Sequence, residues 1–276
     1  MIIDFHTHTF PDEIAEQSIS YLEKKGHIKA VTNAKRSTLV RSMRESGVDV
    51  SLVLPVATRA KQEKTINSLS AELNGKDGIF YAGAIHPDCE DVEGTLNEIK
   101  AAGMFAVKLH PDYQGACFDD ERYINILAKA AEKGLYIITH AGMDVAFPDD
   151  VHCTPDMILN VLDRLNGLID NRLILAHMGS YDAPDEVLQK LCGKPVMMDT
   201  AAVLDLHLEK CVEIIRSHGA DKVLFATDSP WKSQREYISL LDSLPLSDAE
   251  KEAIFCKNAL RIIKAIPHNS GVRIAQ

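Results

Sequence analysis

Paired cysteines are missing from this chain. Its six cysteines (Cys89, Cys117, Cys153, Cys192, Cys211 and Cys256) stand far apart, and no C-x-x-C occurs. Neither a zinc ribbon nor a disulfide framework is indicated, and reduced thiols in a cytoplasmic protein fit the spacing. No apolar run reaches the ~18 residues of a membrane-spanning helix. No basic stretch followed by an apolar one opens the chain, so no secretory signal is expected. Cations are in the minority: 30 Lys and Arg against 40 Asp and Glu give a net charge of −10, with the signs interspersed. Nucleic acids and anionic membranes need clustered Lys and Arg, so neither partner is expected. Low-complexity segments and Pro/Gly/Ser linkers are absent too, and no domain boundary is drawn within 1–276.

What the 276 residues do contain is a repeated alternation, and at 46% hydrophobic they can bury a sizeable core. Short aliphatic runs recur at 2–6, 50–56, 79–85, 104–110, 135–140, 172–177, 195–199 and 222–228. They are apolar at nearly every position, as strands of a parallel sheet buried on both faces are. Amphipathic stretches lie between them. Those at 92–103, 122–134, 155–167 and 212–219 end in Gly, a common helix stop, and Pro155 follows a candidate N-cap, Thr154. Eight βα units in this length predict an α/β fold, a single-domain (β/α)8 TIM barrel. An open doubly wound sheet would want a Gly-rich phosphate loop after an early strand, and none is present. Residues 11–47 read as a helical insertion after strand one. The segment from Ser247 to about Pro267 reads as a helix closing the barrel.

Ionisable residues gather at the strand ends, where barrel active sites form. His6 and His8 end strand one, Lys108 and His110 strand four, His140 strand five, His177 strand six and Asp228 strand eight; His86 follows strand three. In I-I-D-F-H-T-H-T-F, strand alternation predicts that Asp4, His6 and His8 share one face. A lone His on an apolar strand is usually a core or loop residue. Two at i and i+2, with more His and an Asp ending later strands, point instead to a shared metal, which offsets the cost of burying them. Imidazoles with one carboxylate suit zinc, with manganese, iron, cobalt or nickel as alternatives. A water on such a metal ionises near pH ~7.

These motifs resemble the amidohydrolase superfamily of metal-dependent barrels, most closely the branch containing aminocarboxymuconate-semialdehyde decarboxylase. The matching pieces are D-F-H-T-H (4–8), V-K-L-H-P (107–111), I-T-H-A-G (138–142), L-A-H-M-G (175–179), M-D-T (198–200), L-F-A-T-D-S-P (224–230) and K-N-A-L-R-I-I (257–263). The resemblance implies that His6, His8, His140 and Asp228 hold the metal. It implies that His177 is a catalytic base or water-positioner, and that Asp4 orients a ligand, with Asp199 in a similar supporting part. Lys108 has three readings: a carboxylated bridge to a second metal, a grip on a substrate carboxylate, or a lysine whose stem packs in the barrel. His110 is expected to line the pocket, and His86 with less support. Trp231 is expected to wall the pocket or pack in the core, and His152, His207, His218 and His268 to be solvated.

The activity implied is hydrolysis of a small polar, anionic amide, ester or lactone by metal-activated water, with Asp228 and His177 moving the protons. The alternative is non-oxidative decarboxylation of a small carboxylic acid, and a homodimer is the default assembly. TatD-like nucleases share T-D-S-P but place a glutamate on strand four, where Lys108 stands. The polymerase-and-histidinol-phosphatase family would carry more ligands late in the chain. A purely structural metal would need a closed set of four ligands with no open position.

Overall fold

A computed structural model of the chain describes residues 1–264; the end of the expected closing helix, 265–267, and His268 lie outside the described residues. The strands are β1 (Ile3–Thr7), β2 (Val50–Val53), β3 (Ile79–Tyr81), β4 (Gly83–Ala84), β5 (Ala106–Leu109), β6 (Tyr136–Thr139), β7 (Leu173–Leu175), β8 (Met197–Asp199) and β9 (Val223–Leu224). They pair in parallel and in sequence order, β1 to β3 and β4 to β9. β3 and β4 are two halves of one expected strand, and the Ala82 amide between them donates to Val53 O at 2.9 Å. Beyond β9 the chain returns to β1. Phe5 N donates to Phe225 O and Asp228 N to His6 O, both at 2.9 Å, and Thr7 bridges to Ser229. The last strand thereby meets the first, and the fold is the (β/α)8 barrel read from the sequence.

The expected insertion is α1 (Asp12–Gly26) and α2 (Arg36–Ser46). The outer layer continues with α3 (Glu63–Leu73), α4 (Val92–Ala101), α5 (Pro111–Gln114), α6 (Glu121–Glu132), α7 (Pro155–Leu165), α8 (Pro184–Lys190), α9 (Leu208–His218) and α10 (Gln234–Ser243). The closing segment is α11 (Asp248–Glu252), a π-helical turn at Ala253–Lys257 and α12 (Asn258–Lys264). Helices α4 and α6 stop short of the glycines expected to end them because Gly103 and Gly134 hold left-handed backbone (φ 74° and 75°), and α7 stops before Gly167 because Asn166 already holds it (φ 42°). Among the described residues no helix is long and apolar enough to cross a membrane.

Two apolar clusters place the polar site. One lies between strands and helices. The other fills the barrel with Ile3, Phe5, Leu52, Phe80, Ala106, Ile138, Ile174, Met197 and Leu224, and joins Ile262 and Ile263 of α12. Residues an even number further along the same strands are Lys108, His140, Asp199 and Asp228, so the pleat carries the inward rows from an apolar floor to a polar mouth.

Strand one departs from its expected alternation. Asp4 pairs with Ser51 but Thr7 with Val53, so β1 holds one extra residue, a bulge. Below it Ile3 and Phe5 point into the barrel; above it His6 reaches the mouth. Asp4 therefore does not share the histidines' face. It accepts from Thr227 N (3.0 Å), Thr227 Oγ1 (2.7 Å) and the side chain of Gln234 in α10 (2.8 Å). Burial pushes its carboxyl up to about 7, against the pull of these donors.

Gly83 marks a close approach of the sheet to its helical coat. A Cβ there would meet Ile99 Cδ1 and Cγ1 at 2.6 Å, and Ile99 is fully buried in α4. Gly83→Ala is expected to destabilise the fold by roughly 1–3 kcal/mol through overpacking. Adding Ile99→Ala should return part of that loss in a denaturant-unfolding double-mutant cycle.

Candidate metal centre

The mouth of the barrel opens into a cleft of about 1720 Å³. His6, His8, Lys108, His110, His140, His177, Asp228 and Trp231 all line it. Its walls are Ile14 and Leu22 of α1, Ile66 and Leu69 of α3, and the aromatic rings of Tyr113, Phe147 and Tyr181. Tyr113 meets Phe147 edge-on at 5.0 Å, and Lys25 Nζ from α1 lies 3.5 Å over the Phe147 ring. His86 is buried outside the cleft, where its Nδ1 accepts from Asp88 N at 3.1 Å.

His6, His8 and Asp228 bring ligand atoms within 4.8 Å of one another. Their hydrogen bonds fix which atoms face inward. His6 Nδ1 donates to Asp199 Oδ2 at 2.9 Å, and His8 Nδ1 to Leu54 O at 2.9 Å. A carbonyl oxygen only accepts, so the neutral His8 ring carries its proton on Nδ1, and His6 does the same toward the carboxylate. Both Nε2 atoms are then acceptors, 3.1 Å apart, and that of His6 takes a long hydrogen bond from Lys108 Nζ at 3.4 Å. Asp228 Oδ1 lies 3.6 Å from His6 Nε2 and 3.2 Å from His8 Nε2. Burial first, then the nearby Lys108 amine, hold His6 well below the ordinary imidazole range, so a proton does not supply the missing positive charge. Two imidazole nitrogens and a carboxylate with nothing to donate form a donor set that can hold a divalent cation.

The remaining histidines continue this row. His177 packs against His6, ring centroids 5.4 Å apart, and its Nε2 lies 3.0 Å from His140 Nδ1. His177 Nδ1 donates to Ala201 O at 2.9 Å, so both its ring nitrogens are engaged. His140 groups with His110 and Asp144, not with the first three residues. His110 and His140 are stacked, 4.3 Å between centroids and 11° between planes. Imidazole lone pairs lie in the ring plane, and parallel stacked planes do not converge on one ion. The His6–His8–Asp228 group is thus the better cradle.

Lys108 stands in the middle, 1% exposed, its amine donating to His6 Nε2 at 3.4 Å. Burial pulls that amine down to about 8, against the attraction of Asp199 and Asp228. Asp199 also accepts from the backbone amides of His177 and Ala201, both at 3.0 Å, tying three strand ends together. His177 (φ 57°) and Asp228 (φ 69°) hold left-handed backbone, strain of about 1–3 kcal/mol each that such sites store.

Several residues differ from their sequence reading. His152 is half-buried and gives its amide (3.0 Å) and Nδ1 (3.2 Å) to Asp112 Oδ1. His218 is buried, bonded to Val196 O through Nε2 at 2.9 Å. Neither is solvated, and His207 is half-buried at the start of α9. Asp112 and Asp144 escaped the sequence reading. Their only signal is position, two and four residues beyond a strand-end histidine, where a loop carboxylate is ordinarily solvated. Asp144 Oδ2 lies 3.4 Å from His110 Nε2.

The family model described as "Amidohydrolase" matches residues 3–264. No curated protein sequence matches. Solved structures similar to the chain include 2,6-dihydroxybenzoate decarboxylase from Rhizobium (TM-score 0.71, 16% identity, 96% of this chain and 98% of that one). A dihydroxybenzoic acid decarboxylase from Polaromonas with bound manganese and the inhibitor 2-nitroresorcinol is also similar (TM-score 0.72, 15% identity, 95% and 96%). A third is 5-carboxyvanillate decarboxylase from Sphingomonas paucimobilis (TM-score 0.67, 16% identity, 95% and 98%). At these identities the structures speak for the fold. The profile match over nearly every described residue speaks for descent, and the chain belongs to the amidohydrolase family.

Proposed function

We propose that the chain is a metal-dependent, non-oxidative decarboxylase of a small planar carboxylic acid. The cation is held by His6, His8 and Asp228, with His140 joining through Nδ1. The sequence placed hydrolysis first, and that reading keeps the family's description in its favour. Decarboxylation is supported by the similar structures above and by one observation in particular, the buried Lys108 amine beside the imidazole row. An ammonium next to a dication is unfavourable until an anion lies between them, and a substrate carboxylate is that anion. The rings of Tyr113, Phe147, Tyr181 and Trp231 suit a flat, unsaturated body above it.

When bound, the cation supplies Lewis-acid polarisation of the substrate's oxygens. Lys108 orients the carboxylate through its Nζ protons. The bond between the carboxylate and its carbon breaks, the electron pair stays on the carbon, and carbon dioxide leaves. Asp228, 13% exposed and facing the cleft, takes a proton from water and passes it to this carbon. His177, its Nδ1 fixed on Ala201 O, turns its Nε2 lone pair toward the cleft beside His140, where it can take up or return a proton. Asp4 secures Asp228 from below by gripping its neighbour Thr227.

Four measurements test this reading. Chelation should lower the melting temperature, and manganese or zinc should restore it; at about 100 times Kd the gain is about 2.7 kcal/mol. His6→Ala/His8→Ala should abolish that response, and an unchanged response removes the metal site. Asp228→Asn should cut turnover at least ~100-fold with the fold intact. Carbon dioxide release from aromatic and unsaturated acids, set against cleavage of esters, lactones and amides, separates the two chemistries; cleavage alone overturns decarboxylation. Lys108→Met should raise KM about 10–100-fold, as losing a charged hydrogen bond does. In the wild type KM should climb as pH rises through about 8 or below, where the amine loses its proton.

A further inference from the structure

His6 and His8 each rest their outer ring nitrogen on a protein acceptor, Asp199 and Leu54 O. His140 breaks this pattern. His177 Nδ1 donates to Ala201 O, so a neutral His177 offers a lone pair at Nε2, and the proton between the two rings sits on His140 Nδ1. That leaves His140 Nε2, buried and without a hydrogen-bond partner, as a second lone pair. It faces Asp112 Oδ2 at 3.9 Å, which is itself buried and without a partner. Two acceptors oppose each other in a place closed to solvent, an arrangement that burial penalises at both groups.

The other oxygen of Asp112 shows that the carboxylate is held in place. Oδ1 accepts from both the amide and the ring of His152, and the residue opens α5, directly after His110 and Pro111. A proton on His140 Nε2 turns the orphaned pair into donor and acceptor. With no change in total charge, the His140 Nδ1 lone pair then faces the His177 Nε2 lone pair at 3.0 Å, an opposition of the kind found between His6 and His8 and relieved when a cation takes up Nδ1. His110 Nδ1, 4.0 Å from the same oxygen, is the weaker claimant, because Asp144 lies 3.4 Å from its other nitrogen.

We infer that Asp112, fixed by His152, is the positioning residue of His140: it holds the proton on Nε2 and thereby presents Nδ1 to the cation. This rests on the reading of His140 as a ligand. It gives the third imidazole the outer carboxylate that Asp199 gives His6, and it assigns a part to two residues that strand-end motifs leave out. Removing such an outer partner ordinarily costs about 10–100-fold in metal affinity.

The test is zinc affinity by chelator competition in the whole chain, for the wild type, Asp112→Ala, Asp112→Asn, His152→Leu and His140→Ala, with nitrogen-15 NMR of the His140 tautomer in the zinc-loaded wild type. Asp112→Ala should weaken zinc about 10–100-fold. Asparagine keeps an acceptor oxygen and should recover most of the loss; His152→Leu should fall between. The His140 proton should be found on Nε2. Asp112→Ala binding zinc as tightly as the wild type, or a loaded His140 protonated at Nδ1, overturns the inference alone. His140→Ala binding as tightly as the wild type, or a wild type that takes up no zinc, overturns the ligand reading and the inference together.

Discussion

Two imidazole nitrogens that cannot donate to one another are held 3.1 Å apart, with a carboxylate oxygen beside both. That enforced approach is the constraint around which the mouth of the barrel is organised. Left to themselves the three groups would turn to water. They stay because each outer end is tied to something that cannot yield: the Asp199 carboxylate for His6, a β2-end carbonyl for His8, and the bridge of Ser229 to β1 for the Asp228 loop. Lys108 answers this arrangement only at His6, and the remaining acceptors form a group that can take up a cation.

The barrel can tolerate the deficit because the chemistry is confined to one end. Fully buried Ile, Leu and Phe side chains each contribute roughly 1.5–3 kcal/mol, and the interior below the site is filled with them, down to α12. The bulge in β1 makes this division possible. One extra residue lets Phe5 serve the apolar floor while His6, its neighbour, serves the polar mouth. It also sends Asp4 outward, where it binds the 227–228 turn to α10. The same few residues thus join packing to the site, and the left-handed backbone at His177 and Asp228 is strain this frame sustains.

Family membership says less about the reaction than the walls of the cleft do. A metal, an aspartate and a histidine row serve addition of water and loss of carbon dioxide equally well. What distinguishes them is where an anionic group and a flat body are received. Here the amine of Lys108 sits inside the imidazole row, and the aromatic wall comes from α5, the 143–147 loop and the turns beyond β7 and β9. Those parts lie outside the metal-binding motif.

Composition and periodicity determined much by themselves. Eight aliphatic runs buried on both faces, each followed by an amphipathic stretch and with no Gly-rich phosphate loop among them, favour a parallel barrel over an open sheet, and H-x-H with later strand-end His and Asp marks where its chemistry lies. That reading works because the period of a strand and the residue types a cation needs are local properties. Tertiary structure decided what depends on partners remote in the chain. It placed Asp4 on the outer face through a bulge that pairing with β2 creates, and it gave His6 the carboxylate of Asp199, 193 residues away. It also packed His152 and His218 against groups that no motif names, and brought Asp112 up to His140. Loop carboxylates and helix-end histidines are solvated unless another segment covers them, and which segment does so is a property of the closed barrel alone.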